Sequence, residues 1–158
     1  MHARRYFTSP LGDILILASE KGLTHVLFTT AVREEEIPNE ITEQCMRELD
    51  EYFFKGRKFF DIELDVHGTD FQKRVWSELT AIPFGKTISY EELAIRIGDI
   101  KTIRAVGVAN SQNPIAIIVP CHRVIGKNGD LTGYAGGLEN KEWLLYHEGS
   151  LLKQLTLF

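Results

Sequence analysis

Regular patterning begins near residue 12. Apolar residues dominate Gly12–Ala18 and Leu23–Phe28, two runs of strand length, and "SEKG" lies between them. Such runs with a glycine-bearing turn predict two strands in a hairpin, with Gly22 available for a positive φ. The period then changes. In "ITEQCMRELDEYFFKG", Ile41, Cys45, Leu49 and Tyr52/Phe53 recur every three to four residues and the run stops at Gly56. An amphipathic helix is expected, with Cys45 on its buried face. "REEEIPNE" reads as an exposed acidic connector, and "FFDIELDV" as one more strand.

Composition shifts near His67-Gly68. "TDFQKRVWSELTAI" opens with Thr69 and carries Gln72 three residues on, a capping-box pattern, and Phe71, Val75, Trp76 and Leu79 give it a buried face. After "PFGKTI", the segment "SYEELAIRIG" repeats the start signal with Ser89 and Glu92 and stops at Gly98. A short turn leads into "KTIRAVGVANSQN", a helix of small residues. This pairing fits a helix-turn-helix, but from this stretch alone a plain αα-hairpin, the commoner arrangement, is favoured. Pro114 ends it, since proline cannot continue a helix. The β-branched run "IAIIVPCHRVI" predicts a buried extended segment, and "GKNGDLTGYAGG" a loop. "LENKEWLLYHEGS" closes the chain with a helix, Trp143, Leu144 and Leu145 inward and Gly149 as its stop. The fold class expected is α/β of the α+β kind. A small strand-rich lobe with one helix covers residues 1–66, and a helical domain covers residues 67–158.

At 158 residues and 44% hydrophobic composition the chain can bury an ordinary globular core. No apolar run is long enough for a membrane helix or a signal peptide, so a soluble, cytoplasmic protein is expected, without membrane partners. Net charge is −4 but unevenly spread. Residues 1–70 hold 8 Lys/Arg against 14 Asp/Glu, residues 71–128 hold 8 against 4, and the remainder 2 against 4. Only the middle segment is basic, and local charge rather than the total steers an anionic partner.

That basic segment contains "PCHRVI", with Cys121 beside His122. The pair could be a nucleophile with its base, two metal ligands, or two core neighbours. The only other cysteine is Cys45 and no histidine lies close in sequence, which weighs against a metal. A thiolate is the reactive form of cysteine, and an imidazole oriented by a carboxylate is a base that can generate it. Neighbours on a strand point to opposite faces, so either the backbone turns at Pro120-Cys121 or a water joins thiol and ring. Glu148, in "YHEG", is the carboxylate that could serve.

The ordered set "FGKTISYEELA", "RAVGVAN", Asn113-Pro114 and "PCHRVI" resembles the O6-alkylguanine-DNA alkyltransferases, from about Phe71 to Glu148. Over residues 1–66 only the strand-and-helix pattern matches. The resemblance implies a winged-helix type of helix-turn-helix and direct-reversal repair. An alkyl group would move irreversibly from guanine O6 in double-stranded DNA to Cys121, once per molecule, with the nucleotide flipped out. It implies His122 as base through a water, Glu148 behind it, Asn113 as the hinge after the recognition helix, and Tyr90 beside the flipped base. Arg104 would fill the gap in the duplex. Tyr134 would wall the pocket, with backbone amides of Ala135 and Gly136 toward guanine, and Lys101 and Lys127 would meet phosphates. No cofactor and no metal are implied. A monomer is expected, assembling on DNA and associated there with the nucleoid. The alternative is a non-catalytic binder of alkylated DNA. Relatives of that kind typically lack the cysteine.

Overall fold

The computed structural model describes residues 2–151. The chain divides into two compact units. One runs to Lys73 and takes in Asn113–Val119; the other comprises Arg74–Gln112 and the chain from Pro120.

The first unit is built on an antiparallel sheet in the order β1 (Ala3–Ser9), β2 (Gly12–Ala18), β3 (Leu23–Phe28). Pairing Phe7 with Ile14 and Ile16 with Val26 sends Ile14, Ile16, Ala18 and Val26 to the buried side. A register shift follows Leu17. Helix α1 (Glu40–Phe54) packs on β1 and β2. Asn39 caps it in a reciprocal box with Thr42, and Cys45, Leu49, Tyr52 and Phe53 are buried. Phe53 stacks on Phe7 with ring centroids 5.8 Å apart.

Three expectations change here. β1 is a full strand that the apolar pattern did not single out. "FFDIELDV" is extended but joins the sheet through a single bridge, Leu64 to Leu23. Gly22 does not need a positive φ: a Cβ there would lie 2.7 Å from the Glu63 carbonyl oxygen, so the close approach of two backbones demands glycine.

Residues 113–119 depart from the expected extended segment. Val26 bonds to the Pro114 carbonyl and Ala116 bonds back to Val26, but the chain then folds into a turn at Ile117, whose φ is 70°. A β-branched residue there is strained by roughly 1–3 kcal/mol. Asn113 holds the turn: its amide donates to Val119 O at 2.7 Å and its oxygen accepts from Ile115 N at 3.0 Å.

In the second unit, α2 (Asp70–Thr80) buries Val75, Trp76 and Leu79. Its predicted capping box is present, Thr69 and Gln72 exchanging bonds. Trp76 Nε1 donates to Ala109 O at 2.9 Å, fastening α2 to the helix that carries Ala109. β4 (Ile88–Ser89) pairs in parallel with β5 (Val124–Ile125). Ser89 caps α3 (Tyr90–Ile97), which ends at Gly98 with φ 125°. Asp99 caps a 3₁₀ turn, Ile100–Thr102, and α4 (Ile103–Ser111) follows. This is a helix-turn-helix, and the β4–β5 pair leads into its first helix. The last helix, α5 (Leu138–His147), buries Lys141, Leu144 and Leu145. Trp143, expected inward, is only half-buried and stacks on His147.

Candidate active site

After Pro120 the backbone makes a 3₁₀ turn through Cys121, His122 and Arg123, closed by Arg123 N to Pro120 O at 3.0 Å. The strand geometry that would have separated thiol from imidazole is absent. The turn runs directly into β5, whose pairing with β4 brings Tyr90, the residue after Ser89, to the same place.

Cys121 is 6% exposed and His122 fully buried. His122 Nε2 lies 2.8 Å from Glu148 Oε2. Arg123 grips the same carboxylate with two nitrogens, at 2.7 and 3.0 Å, and donates a third bond to Ile82 O at 2.6 Å. Burial alone would raise the Glu148 carboxyl. The bonds from His122 and Arg123 outweigh it and hold the group down at about 2. Burial pushes His122 below the usual imidazole range, against the Glu148 hydrogen bond. The ring is therefore neutral. An ionised carboxylate only accepts, so the ring proton sits on Nε2 and the lone pair on Nδ1. Nδ1 is buried and has no hydrogen-bond partner among the described residues. The arrangement is a base, oriented by a carboxylate that an arginine keeps ionised, beside a thiol.

Burial raises the Tyr90 and Tyr134 phenols above their ordinary range, and a charge on Cys121 adds to the rise in both. Tyr90 Oη donates to Thr132 O at 3.1 Å. Beside Tyr90 opens a groove of about 550 Å³ lined by Ile103, Arg104, Gly107, Val108, Ser111, Thr132 and Gly133. That volume lies within the range of ligand pockets, roughly 300–1,000 Å³. A Cβ on Gly133 would lie 3.6 Å from Tyr90 Oη, and one on Gly107 3.9 Å from Tyr90 Cδ1, so two glycines leave the mouth open.

Cys121, His122, Glu148, Tyr90, Tyr134 and Arg104 thus belong to one unit, and of them Tyr90 and Arg104 line the groove. Lys101 and Lys127 are exposed and do not line the groove. Ala135 and Gly136 form a turn closed by Gly137 N on Tyr134 O, and Gly136 O accepts from Asn140. Asn113 belongs to the other unit, where it braces residues 115–119. The asparagine that bonds to the Cys121 backbone is Asn110, donating to Cys121 O at 3.4 Å. Sequence reading missed it, and also missed Lys141. Among the described residues no group of three or more His, Cys, Asp or Glu could hold a metal. In the first unit, His67 pairs with Asp65 at 3.3 Å in a pocket that includes His2.

Two family models cover nearly all of this chain. The 6-O-methylguanine DNA methyltransferase, ribonuclease-like domain matches residues 3–66, and the DNA binding domain of the same enzyme matches residues 70–150. The chain belongs to the 6-O-methylguanine DNA methyltransferase family. A methylated-DNA–protein-cysteine methyltransferase of Methanosarcina acetivorans is 51% identical over 150 residues, spanning 91% of this chain and 96% of that protein. The Mycobacterium leprae methyltransferase is 44% identical across 98% and 97% of the two chains. Among solved structures, the O6-methylguanine methyltransferase of Mycobacterium tuberculosis matches with TM-score 0.86 and 43% identity, covering 100% of this chain and 99% of that one. The same organism's protein in complex with DNA matches with TM-score 0.82 and 45% identity, covering 93% and 92%.

For a methyltransferase of this family, Asn110 and Lys141 are the informative omissions. Asn110 sits in "VANSQN" and reads as one polar residue near a helix end. Lys141 shares a helical face with Leu144, Leu145 and Glu148, at spacings of three, four and seven. The periodicity that turns Glu148 inward turns Lys141 inward as well.

Proposed function

We propose that this chain repairs DNA by direct reversal, moving the alkyl group of O6-alkylguanine onto Cys121. The observation that carries the reading is the 3₁₀ turn that joins Cys121 to a neutral, fully buried His122 whose Nδ1 has no hydrogen-bond partner among the described residues. Nδ1 takes the thiol proton through a bridging water, with Glu148 stabilising the imidazolium that forms. The thiolate attacks the alkyl carbon, a C–S bond forms and the C–O6 bond breaks with its electron pair left on the guanine. Tyr90 exchanges the Thr132 carbonyl for guanine N3 and hydrogen-bonds the departing base. The proton held on His122 returns through water to that base, so a thioether and a normal guanine result.

The O6 substituent is flanked by stacked neighbours in a duplex, so the base must be extruded for an in-line attack, at a cost of a few kcal/mol. Arg104, at the start of α4 and on the rim of the groove, fills the vacated space. The small residues of "RAVGVAN" let α4 approach a narrow groove. Lys101, Lys127 and the amides of Ala135 and Gly136 meet the nucleic acid, phosphates for the lysines and the base for the amides. The protein acts as a monomer. No helix among the described residues is long and apolar enough to cross a membrane.

A thioether has no good leaving group. Cys45 cannot resolve it: it is buried in the first unit, where burial pushes its thiol far up. Each molecule therefore reacts once. A duplex carrying radiolabelled O6-methylguanine, in excess over protein, tests this. Transfer of one label per protein molecule is expected. Repeated turnover, or DNA binding with no transfer, refutes it.

A further inference from the structure

His122 Nδ1 has a task in the reaction proposed above. Asn110 Oδ1 does not. Asn110 is 2% exposed, and this oxygen is buried with no hydrogen-bond partner among the described residues. A buried acceptor left unpaired is uncommon in folded proteins and marks a place where a partner is missing. The other end of the amide is occupied. Cys121 O only accepts, so the amide turns its Nδ2 that way, at 3.4 Å, and Oδ1 is the end left over.

The position of Asn110 is fixed and lies by the groove. It stands one helical turn after Gly107 and next to Ser111, both of which line the groove. A Cβ at Gly107 would lie 3.9 Å from Tyr90 Cδ1. The Asn110 side chain reaches the Tyr90 phenol as well: burial raises that phenol, and hydrogen bonding from Thr132 and Asn110 opposes the rise. Trp76 Nε1 holds the preceding residue, donating to Ala109 O at 2.9 Å. The amide is therefore placed between the Cys121 backbone and the Tyr90 phenol, on an anchored turn of α4.

The missing partner is a donor, and the chemistry of the substrate narrows the choice. A guanine alkylated at O6 has lost its N1 proton, and N3 and N7 only accept. The one N–H donor left on its ring edges is the amine at C2. C2 is bonded to N3, the atom that Tyr90 Oη meets in the reaction above. A group beside the phenol is thus beside the amine.

We propose, resting on the alkyl-transfer reading above, that Asn110 determines base specificity: its Oδ1 accepts from the C2 amine of the extruded O6-alkylguanine. Adenine carries its amine at C6, and an O4-alkylated thymine has none. The contact selects a purine with an amine at C2, and binding of that base supplies the donor the free protein lacks.

Two experiments test this. In the first, single-turnover methyl transfer is timed from duplexes carrying O6-methylguanine or O6-methylhypoxanthine, which lacks the amine. Wild type is expected to prefer O6-methylguanine by about 10–100-fold, the effect of leaving one buried acceptor unpaired. Asn110→Leu, close in volume but without the acceptor, is expected to bring the ratio to within about threefold of one. A residue that only braced the Cys121 backbone would slow both substrates alike and leave the ratio unchanged. A wild-type ratio near one, or a wild-type-like ratio in Asn110→Leu that melting curves show to be folded, overturns the proposal. The second experiment holds even if Asn110→Leu does not fold. The Asn110 ¹³Cγ resonance is read in Cys121→Ala protein saturated with each duplex. A downfield shift is expected with O6-methylguanine and not with O6-methylhypoxanthine; equal shifts overturn the proposal. The two readings fail separately. If wild-type protein transfers methyl groups from both bases at equal rates, the Asn110 inference fails and the repair reading stands. If no methyl is transferred from O6-methylguanine, the repair reading fails, and the Asn110 resonance still reports how the base is held.

Discussion

Replacing Glu148 with glutamine removes one charge and very little volume. Its carboxylate accepts one bond from His122 and two from Arg123, and all three groups are buried. Two routes give the size of the effect. Lowering a carboxyl from 4.5 to about 2 is worth about 3 kcal/mol at 1.36 kcal/mol per unit. Breaking a buried ion pair by deleting one partner costs about 3–5 kcal/mol, because the other charge stays buried and unanswered. Urea unfolding at pH 7 should therefore show Glu148→Gln less stable by about 3–5 kcal/mol, and melting lowered by roughly 6–20 °C. The double variant Arg123→Met, Glu148→Leu should fall well short of the sum of the two single changes, since no buried charge is left unanswered; it leaves the His122 N–H and the Ile82 carbonyl without these partners, at about 1–3 kcal/mol each. The pH dependence carries the same sign. Glu148 is ionised below its unfolded value, so its contribution is complete above about pH 4.5 and is lost as pH falls toward 2. Wild type should lose this increment in that window, and Glu148→Gln should not. A single variant within 1 kcal/mol of the wild type, or a double variant as unstable as the sum of two singles, would refute the reasoning.

Other outcomes follow from particular contacts. Asn113→Ala leaves Val119 O and Ile115 N unpaired beside a left-handed Ile117, and should cost about 2–4 kcal/mol in chemical denaturation. Tyr90→Phe loses the bond to Thr132 O and the donor to the departing guanine. Single-turnover methyl transfer should slow by about 10²-fold, with stability changed by about 1 kcal/mol. Gly22→Ala drives a Cβ into the Glu63 backbone and should cost about 1–3 kcal/mol by thermal melting, although no side chain is lost.

The helices were legible because their ends carry local chemistry. Thr69/Gln72 and Ser89 with the amide of Glu92 make the bonds their spacing predicts. Glycine ends α3 at a φ only glycine adopts readily. Segments whose conformation depends on distant partners were not legible. The run 115–119 has strand composition, yet Asn113 and the Ile117 turn override it. Residues 59–66 have β-forming composition but only one bridge. Of the site, Cys121, His122 and Glu148 could be named from chemistry, and a backbone turn at Pro120-Cys121 was one of two alternatives the dipeptide left open; the structure has that turn. Arg123 is structural: with His122 it keeps Glu148 ionised. Lys141 was hidden because a charged residue in the first turns of a helix ordinarily faces water.

The central claim is that one sulfur, made nucleophilic by a buried imidazole and carboxylate, takes and keeps an alkyl group. The most direct test is peptide mass mapping of the protein after reaction with an O6-methylguanine duplex. A single added methyl on the peptide containing Cys121, persisting after the DNA is removed and absent in Cys121→Ala, is the expected result. A methyl found on Cys45, or a repaired duplex with unmodified protein, would contradict it.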